Sequence, residues 1–252
     1  MVSPITRFAI KGVIWYQGCA NGNLHNSAMG ATYTDKMDAL VSSWRSLWGY
    51  EFPFYWVQLA SFTRKTTDPA GGNGYAYIRQ AQFNALSRIK NGGMAVTIDI
   101  GNDRDIHPKA KKQVGERLAR WALARDYGKD IVPSGPLFKS AKSEEGKIRI
   151  SFDYVGTGLM VGVKKATDNL EPQEAPKGTP LKGFAIAGKD KVYCCCHHTE
   201  KDDPIKKLLH HSTLIFWRKL FRKQPCLRMV SVKTLYSGSF CGKIAAIIRY
   251  YA

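Results

Sequence analysis

Three short apolar runs, each followed by a stretch of helical periodicity, constrain this chain more than any other feature. Gly12-Val13-Ile14-Trp15-Tyr16-Gln17-Gly18 reads as a buried strand ending in a polar turn, which Ala20-Asn21-Gly22-Asn23 continues. Pro53 to Ala60 and Met94 to Ile100 read as two more strands. Between and after them, apolar residues recur at helical spacing. Met37, Leu40, Val41, Trp44 and Leu47-Trp48 form one such set, with Thr34 as its N-cap. Tyr77, Ile78, Ala81, Ala85 and Ile89 form another. Val114, Leu118, Trp121, Ala122 and Arg125 form the last, before Gly128. Strand alternating with helix predicts a parallel sheet covered by helices on both faces, an α/β fold. In such a fold sites gather in the loops at the carboxyl ends of the strands, where Gln17 and His107 both fall.

The loop after the third strand carries Asp103-Arg104-Asp105-Ile106-His107, followed at once by Pro108. Proline is suited to a first helical position, so the spacing predicts a helix from Pro108 with His107 at its mouth. The helix dipole there favours neutral imidazole. A neutral imidazole with a carboxylate behind it can take a proton from a serine hydroxyl. The plain alternative is structural, with Asp105 capping the helix.

The strings GVIWYQGCAN, PFYWVQLA, IRQAQ and TIDIGNDRDIHPKAKKQVGERLARWALARDYG occur in an order and spacing that resemble the sialate O-acetylesterase branch of the SGNH hydrolases. The resemblance runs from about Met1 to Asp190. It implies a flavodoxin-like three-layer SGNH core with a β-rich C-terminal extension, and removal of acetyl groups from sugar hydroxyls by serine, histidine and aspartate. It implies no cofactor and no metal, and an O-acetylated sugar as the partner. By the resemblance His107 is the catalytic base and Gln17 an oxyanion-hole donor. Asp105 is the first choice of carboxylate, with Asp99 and Asp103 as alternatives. Asn21 and Tyr16 are expected along the substrate cleft.

This sequence departs from the family pattern in three ways. The family's nucleophile lies in a GQSNM-like segment upstream of WYQG, and no such segment stands before Gly12. The core is therefore expected to lack its first strand, to expose apolar surface and to be inactive alone. Ser3 precedes a proline and does not have the setting of a nucleophile. Cys19 stands where the family carries glutamate, and a thiol supplies neither that charge nor its hydrogen bonds. Finally, the residue three before His107 is Arg104 rather than aspartate. Arg79, Gln80 and Gln82 are expected to face solvent or to pack. Trp15, Tyr16, Tyr55 and Trp56 read as core before they read as a sugar platform.

Charge divides the chain. The formal net charge is +18, yet after Asp203 there is no acidic residue, while ten lysines and arginines accumulate from Lys206 to Arg249. Five of six cysteines and four of six histidines lie beyond Tyr193. Three regions follow: a partial hydrolase domain over 1–128, a β-rich extension over 129–193 with strands near Ile148–Phe152 and Gly183–Ala187, and an anomalous tail over 194–252 that a changed reading frame explains economically. The tail is expected not to pack as a continuation of the domain, with some helix around Leu214 to Phe221. Adjacent Cys194-Cys195-Cys196-His197-His198 do not have the spacing with which a chain wraps zinc. Its basic, apolar composition supports a rival reading, a non-enzymatic binding protein for nucleic acid or an anionic surface. No specific nucleic acid, no transmembrane segment and no signal peptide are read from the sequence. Compartment and oligomeric state are left open, although family members are often secreted, periplasmic or lysosomal.

Overall fold

The computed structural model describes residues 2–22, 30, 32–62, 74–102, 105–144, 147–156, 158–159, 162–163, 173–174, 176, 185–187, 193–195 and 213–217. The chain divides into two compact units, the first holding most residues up to Ser134 and the second beginning at Gly135.

In the first unit the order is β1 (Val13–Trp15), α1 (Tyr33–Trp48), β2 (Phe54–Val57), α2 (Gly74–Asn84), β3 (Gly92–Ala95) and α3 (Lys111–Arg125). The sheet runs β1-β2-β3 and is parallel throughout, with Val13 opposite Phe54 and Phe54 opposite Gly92. Every residue of β2 and β3 is buried, as expected of parallel strands covered on both sides. Alternation along β2 sends its side chains to two helical layers. Phe54 meets Trp44 of α1 at 6.3 Å, and the Trp56 indole donates to the Gln82 carbonyl of α2 at 3.1 Å. Tyr55, on the opposite face, stacks on Trp121 of α3 at 6.2 Å. Helix, sheet and helix make the α/β/α sandwich read from the pattern. Burying each of these large side chains contributes about 1.5–3 kcal/mol.

Several boundaries differ from the sequence expectation. β3 begins at Gly92 and ends at Ala95, and Ile98–Ile100 form a 3-10 turn instead of the strand's end. Gly92 and Gly93, ahead of the expected strand, belong to it and make room for rings. A Cβ on Gly93 would lie 2.5 Å from Trp121 Cδ2, and one on Gly92 2.9 Å from Trp56 Cζ3. Beyond Ala95 the chain leaves the sheet because side chains take over the pairing. Thr97 Oγ1 donates to the Gln58 carbonyl at 2.5 Å and Arg117 to that of Val96 at 2.6 Å.

Thr34 is not an N-cap. It lies inside α1, buried, and donates its hydroxyl to the Ala81 carbonyl of α2 at 3.0 Å, which ties the two helices together. α1 ends at Gly49, φ +76°, a conformation glycine adopts without strain. Near that end Arg45 donates to the Phe52 and Lys90 carbonyls at 2.7 and 2.8 Å, joining the approaches to β2 and β3. α3 starts at Lys111, not Pro108. The Asp105 carboxylate accepts the His107 N–H at 2.8 Å, so local pairing holds this segment as a turn and the helix begins later. At the other edge of the sheet, Ile14 on β1 is 71% exposed, apolar surface of the kind expected there.

The second unit is β-rich. β4 (Leu137–Glu144) and β5 (Lys147–Asp153) pair antiparallel, with a register shift between Phe138 and Ser140. β6 (Gly162–Val163) pairs with β7 (Gln173–Glu174), and β8 (Ala185–Ala187) with β9 (Tyr193–Cys195). The tail is not wholly apart from this framework. β10 (Thr213–Trp217) lies antiparallel on β5, with Thr213 opposite Ser151 and Trp217 opposite Lys147. The helix expected to begin at Leu214 is a strand here, as a Thr-Leu-Ile-Phe-Trp run favours. Cys194 and Cys195 belong to β9, while Cys196, His197 and His198 lie outside the described residues. Among the described residues no helix is long and apolar enough to cross a membrane.

Candidate active site

Gln17 follows directly on β1, and the turn beneath it depends on Gly18. Its φ of +143° is open to glycine, and a Cβ there would lie 3.2 Å from Ile78 Cγ2 and 3.3 Å from the Tyr33 hydroxyl. The chain then closes into a 3-10 turn, Cys19–Asn21. Within this turn the Gln17 carboxamide is held at both ends. Its Oε1 accepts from the Tyr33 hydroxyl at 2.8 Å, and its Nε2 donates to Asn21 Oδ1 at 2.8 Å. The Gln17 backbone carbonyl accepts from Tyr33 at 3.0 Å and from Gln82 Nε2 at 3.3 Å. Gln82 is itself fixed, since its Oε1 accepts the Leu59 N–H at 2.9 Å and its Nε2 donates to the Val57 carbonyl at 3.1 Å. An amide nitrogen carries two protons. Asn21 takes one of them, just beyond the carboxyl end of a parallel strand.

His107 and Asp105 share the loop between β3 and α3. The His107 side chain is 85% exposed, and its Nδ1 lies 3.7 Å from Asp105 Oδ1, beyond hydrogen-bonding reach. Asp105 therefore holds the histidine through its backbone N–H rather than its ring. A different carboxylate anchors the base of the same loop. Asp99, 4% exposed, makes a two-pronged ion pair with Arg117 of α3, each oxygen 2.5 Å from a guanidinium nitrogen. Both of its oxygens are engaged by Arg117. Asp103 lies outside the described residues.

One contact brings the two loops together. The Lys111 ammonium, four residues beyond His107, lies over the Tyr16 ring, 4.9 Å from its centroid. Tyr16, next to Gln17, is 41% exposed. Burial pushes the Cys19 thiol up, while its backbone hydrogen bond and Lys111 oppose that rise. A thiol held protonated is a poor nucleophile. Tyr55 and Trp56 are buried and belong to the core. Of the α2 trio, only Gln80 lies at the surface, where it donates to Asn84. Arg79 and Gln82 are fully buried. Burial pushes Arg79 down to about 10, which leaves it a cation at neutral pH. Asn23 lies outside the described residues. Sequence reasoning missed Tyr33, and it placed Gln82 only as a surface or packing residue. Their roles come from contacts across 16 and 65 residues of chain.

Residues 2–124 match the family of sialic acid-specific acetylesterases among carbohydrate esterases. The mouse sialate O-acetylesterase is 32% identical over 171 residues, covering 61% of this chain and 31% of that protein. The human sialate O-acetylesterase is 34% identical over 153 residues, covering 54% of this chain and 28% of its own length. The crystal structure of a carbohydrate acetylesterase from Xanthomonas citri superposes with a TM-score of 0.68 at 32% identity, over 86% of this chain and 44% of that one. The chain thus spans about a third of the curated relatives it matches. These matches lend nothing to the rival reading of a basic binding protein.

Proposed function

We propose that this chain, whose residues 2–124 match the sialic acid-specific acetylesterase family, carries the histidine and oxyanion-binding side of an esterase that removes acetyl groups from sugar hydroxyls. The observation that carries the reading is the Gln17 carboxamide, held at the carboxyl end of β1 with its oxygen on Tyr33 and one N–H on Asn21. An oriented N–H there meets the negative charge that grows on an ester carbonyl oxygen as a nucleophile adds. One such donor lowers the barrier by roughly 3–4 kcal/mol. His107 takes the proton of the attacking hydroxyl and returns it to the departing sugar oxygen. Its exposure leaves the ring free to reach a substrate. Asp105 shapes the loop through the His107 N–H and closes on the ring when the imidazole becomes charged. Tyr16 and Asn21 line the approach, and the relatives' names make an O-acetylated sugar, sialate among them, the substrate class.

The reading assigns nucleophilic attack to a serine set on a strand-to-turn junction, and none of the serines in these 252 residues has the family's setting. A polypeptide of these residues alone is therefore expected to show only background hydrolysis. The test uses that polypeptide and a longer one preceded by a serine-bearing GQSNM segment, with p-nitrophenyl acetate and O-acetylated sialic acid as substrates. The longer chain should turn over both. His107→Ala should cost about 10²–10⁴-fold in kcat, and Gln17→Ala about 10²–10³-fold. Turnover that survives both substitutions would overturn the assignment.

A further inference from the structure

A carboxamide has two ends of nearly equal size, and only one of them can stabilise an oxyanion. If Gln17 were turned over, Oε1 would face the developing charge and oppose it. Asn21 cannot settle the matter, because two facing carboxamides can flip together and keep their mutual hydrogen bond. We propose that Tyr33 is the positioning residue that fixes the Gln17 amide with its nitrogen toward the site, an inference whose catalytic consequence rests on the esterase reading above.

The hydroxyl of Tyr33 lies 2.8 Å from Gln17 Oε1 and 3.0 Å from the Gln17 carbonyl oxygen, two acceptors on one residue. The carbonyl has a second donor, Gln82 Nε2 at 3.3 Å. The Gln82 amide cannot reverse, because the Leu59 N–H requires its oxygen and the Val57 carbonyl its nitrogen. With Gln82 also serving the carbonyl, the single Tyr33 proton goes to the nearer acceptor, Oε1, and whatever faces that proton must accept. Orientation thus passes from the backbone at the end of β2, through Gln82 and Tyr33, to Gln17 and then Asn21. Burial pushes the Tyr33 phenol up to about 12, so it remains a donor through the physiological range.

The orientation is read by NMR on the 252-residue chain labelled with 15N-glutamine, with the Gln17 carboxamide assigned from its disappearance in Gln17→Ala. In the native protein its two protons should give one resolved pair, with nuclear Overhauser contacts to Asn21 and none from the NH2 to the Tyr33 ring. Tyr33→Phe should lose that single state, giving a second or averaged pair with new contacts to the substituted ring. Gln82→Glu should have the same effect, because without the Nε2 donor the Gln17 carbonyl claims the Tyr33 proton. Tyr50→Phe, at a tyrosine bonded to Ile10 instead, should change nothing. NH2 contacts to the Tyr33 ring in the native protein would overturn the proposal without any variant. An unaltered Gln17 pair in folded Tyr33→Phe would also overturn it. In the serine-bearing chain, Tyr33→Phe should lower kcat with KM held. If the NMR result holds while Gln17→Ala leaves hydrolysis intact, the positioning role stands and the oxyanion role of Gln17 falls.

Discussion

Gly18 shows how one residue can hold a site in place. Its φ of +143° and the Ile78, Tyr33 and Gln82 atoms within 3.4 Å of an added Cβ act together, one on the backbone and the other on space. Gly49, at φ +76° with nothing within 4 Å, has the backbone demand alone. Gly49→Ala should therefore cost about 1–2 kcal/mol in urea unfolding. Gly18→Ala should cost more and should also disturb the Gln17 amide signals; equal losses would mean that the crowding is relieved by movement. Tyr33 adds a pH dependence. A phenol titrates near 10 when free, but folding moves this one to about 12 by burial. Below about pH 10 both states are protonated, and its contribution to stability is complete. As pH rises toward 12 the unfolded chain loses its proton while the folded one keeps it, so stability falls and the contribution is gone beyond the folded pKa. Urea midpoints measured across this range should fall less steeply for Tyr33→Phe. Tyr55, raised by burial and by Asp126, accounts for part of the slope that remains. None of this was legible in the sequence. Tyr33 stands there just ahead of the expected N-cap, and its hydrogen bonds across the chain carry no sequence signal.

At the scale of elements, the pattern of the chain was most readable where burial is two-sided. Phe54 to Val57 reads as a strand because all four side chains must be covered. The boundaries of β3 were hidden by Gly92 and Gly93, glycines that serve the rings of Trp56 and Trp121. The start of α3 was displaced by the Asp105 hydrogen bond, which a sequence rule for proline does not contain. His107 and Asp105 were legible as a pair; that the carboxylate meets the backbone N–H, with the ring at 3.7 Å, was not. The Asp99–Arg117 pair links the exit of β3 to α3 across 18 residues, and it reads in sequence only as two unrelated charges. Removing one partner of a buried pair costs up to about 3–5 kcal/mol. With Arg117 29% exposed, the loss for Asp99→Asn should fall toward the lower end of that span, measured by urea unfolding. In the second unit, β10 offers a test of its own. N–H groups alternate in direction along a strand, so of Leu214 and Ile215 one donates toward β5. Proline at that position should cost about 1–3 kcal/mol and at the other much less. Amide exchange at Ile148 to Ser151 reads the difference. If neither proline accelerates exchange, β10 does not pair there.

The whole molecule joins regions with different chemical signatures. The α/β core was legible because strand and helix alternate along the first half of the chain. The pairing of β10 was not, because the tail around it carries the composition that argues against a packed continuation: no acid after Asp203 and a concentration of cysteine, histidine and base. Local pattern could not report that one apolar stretch within it finds a strand partner far back along the chain, with Ile215 opposite Arg149 of β5. Division into two compact units carries a last expectation. Five of the six tryptophans, Trp15, Trp44, Trp48, Trp56 and Trp121, belong to the first unit, and Trp217 alone to the second. Tryptophan emission therefore follows the unfolding of the α/β core. The helices α1, α2 and α3 are also there, so helical circular dichroism follows the same unit. Amide exchange along β4 and β5 follows the other, whose apolar centre is Leu137, Ile150 and Phe152. Asp99→Asn weakens a contact wholly inside the first unit. If each unit is stabilised by its own core, that substitution should lower the urea midpoint seen by emission and by helical signal together, and leave exchange at Ile150 and Phe152 at its native rate. Proline at the β5-facing position of β10 should do the reverse. Two-state unfolding of the entire chain demands instead that every probe shift by the same amount whichever unit is altered. Coincident shifts from both substitutions would show one cooperative molecule, and the separation into independently stable units would have to be given up.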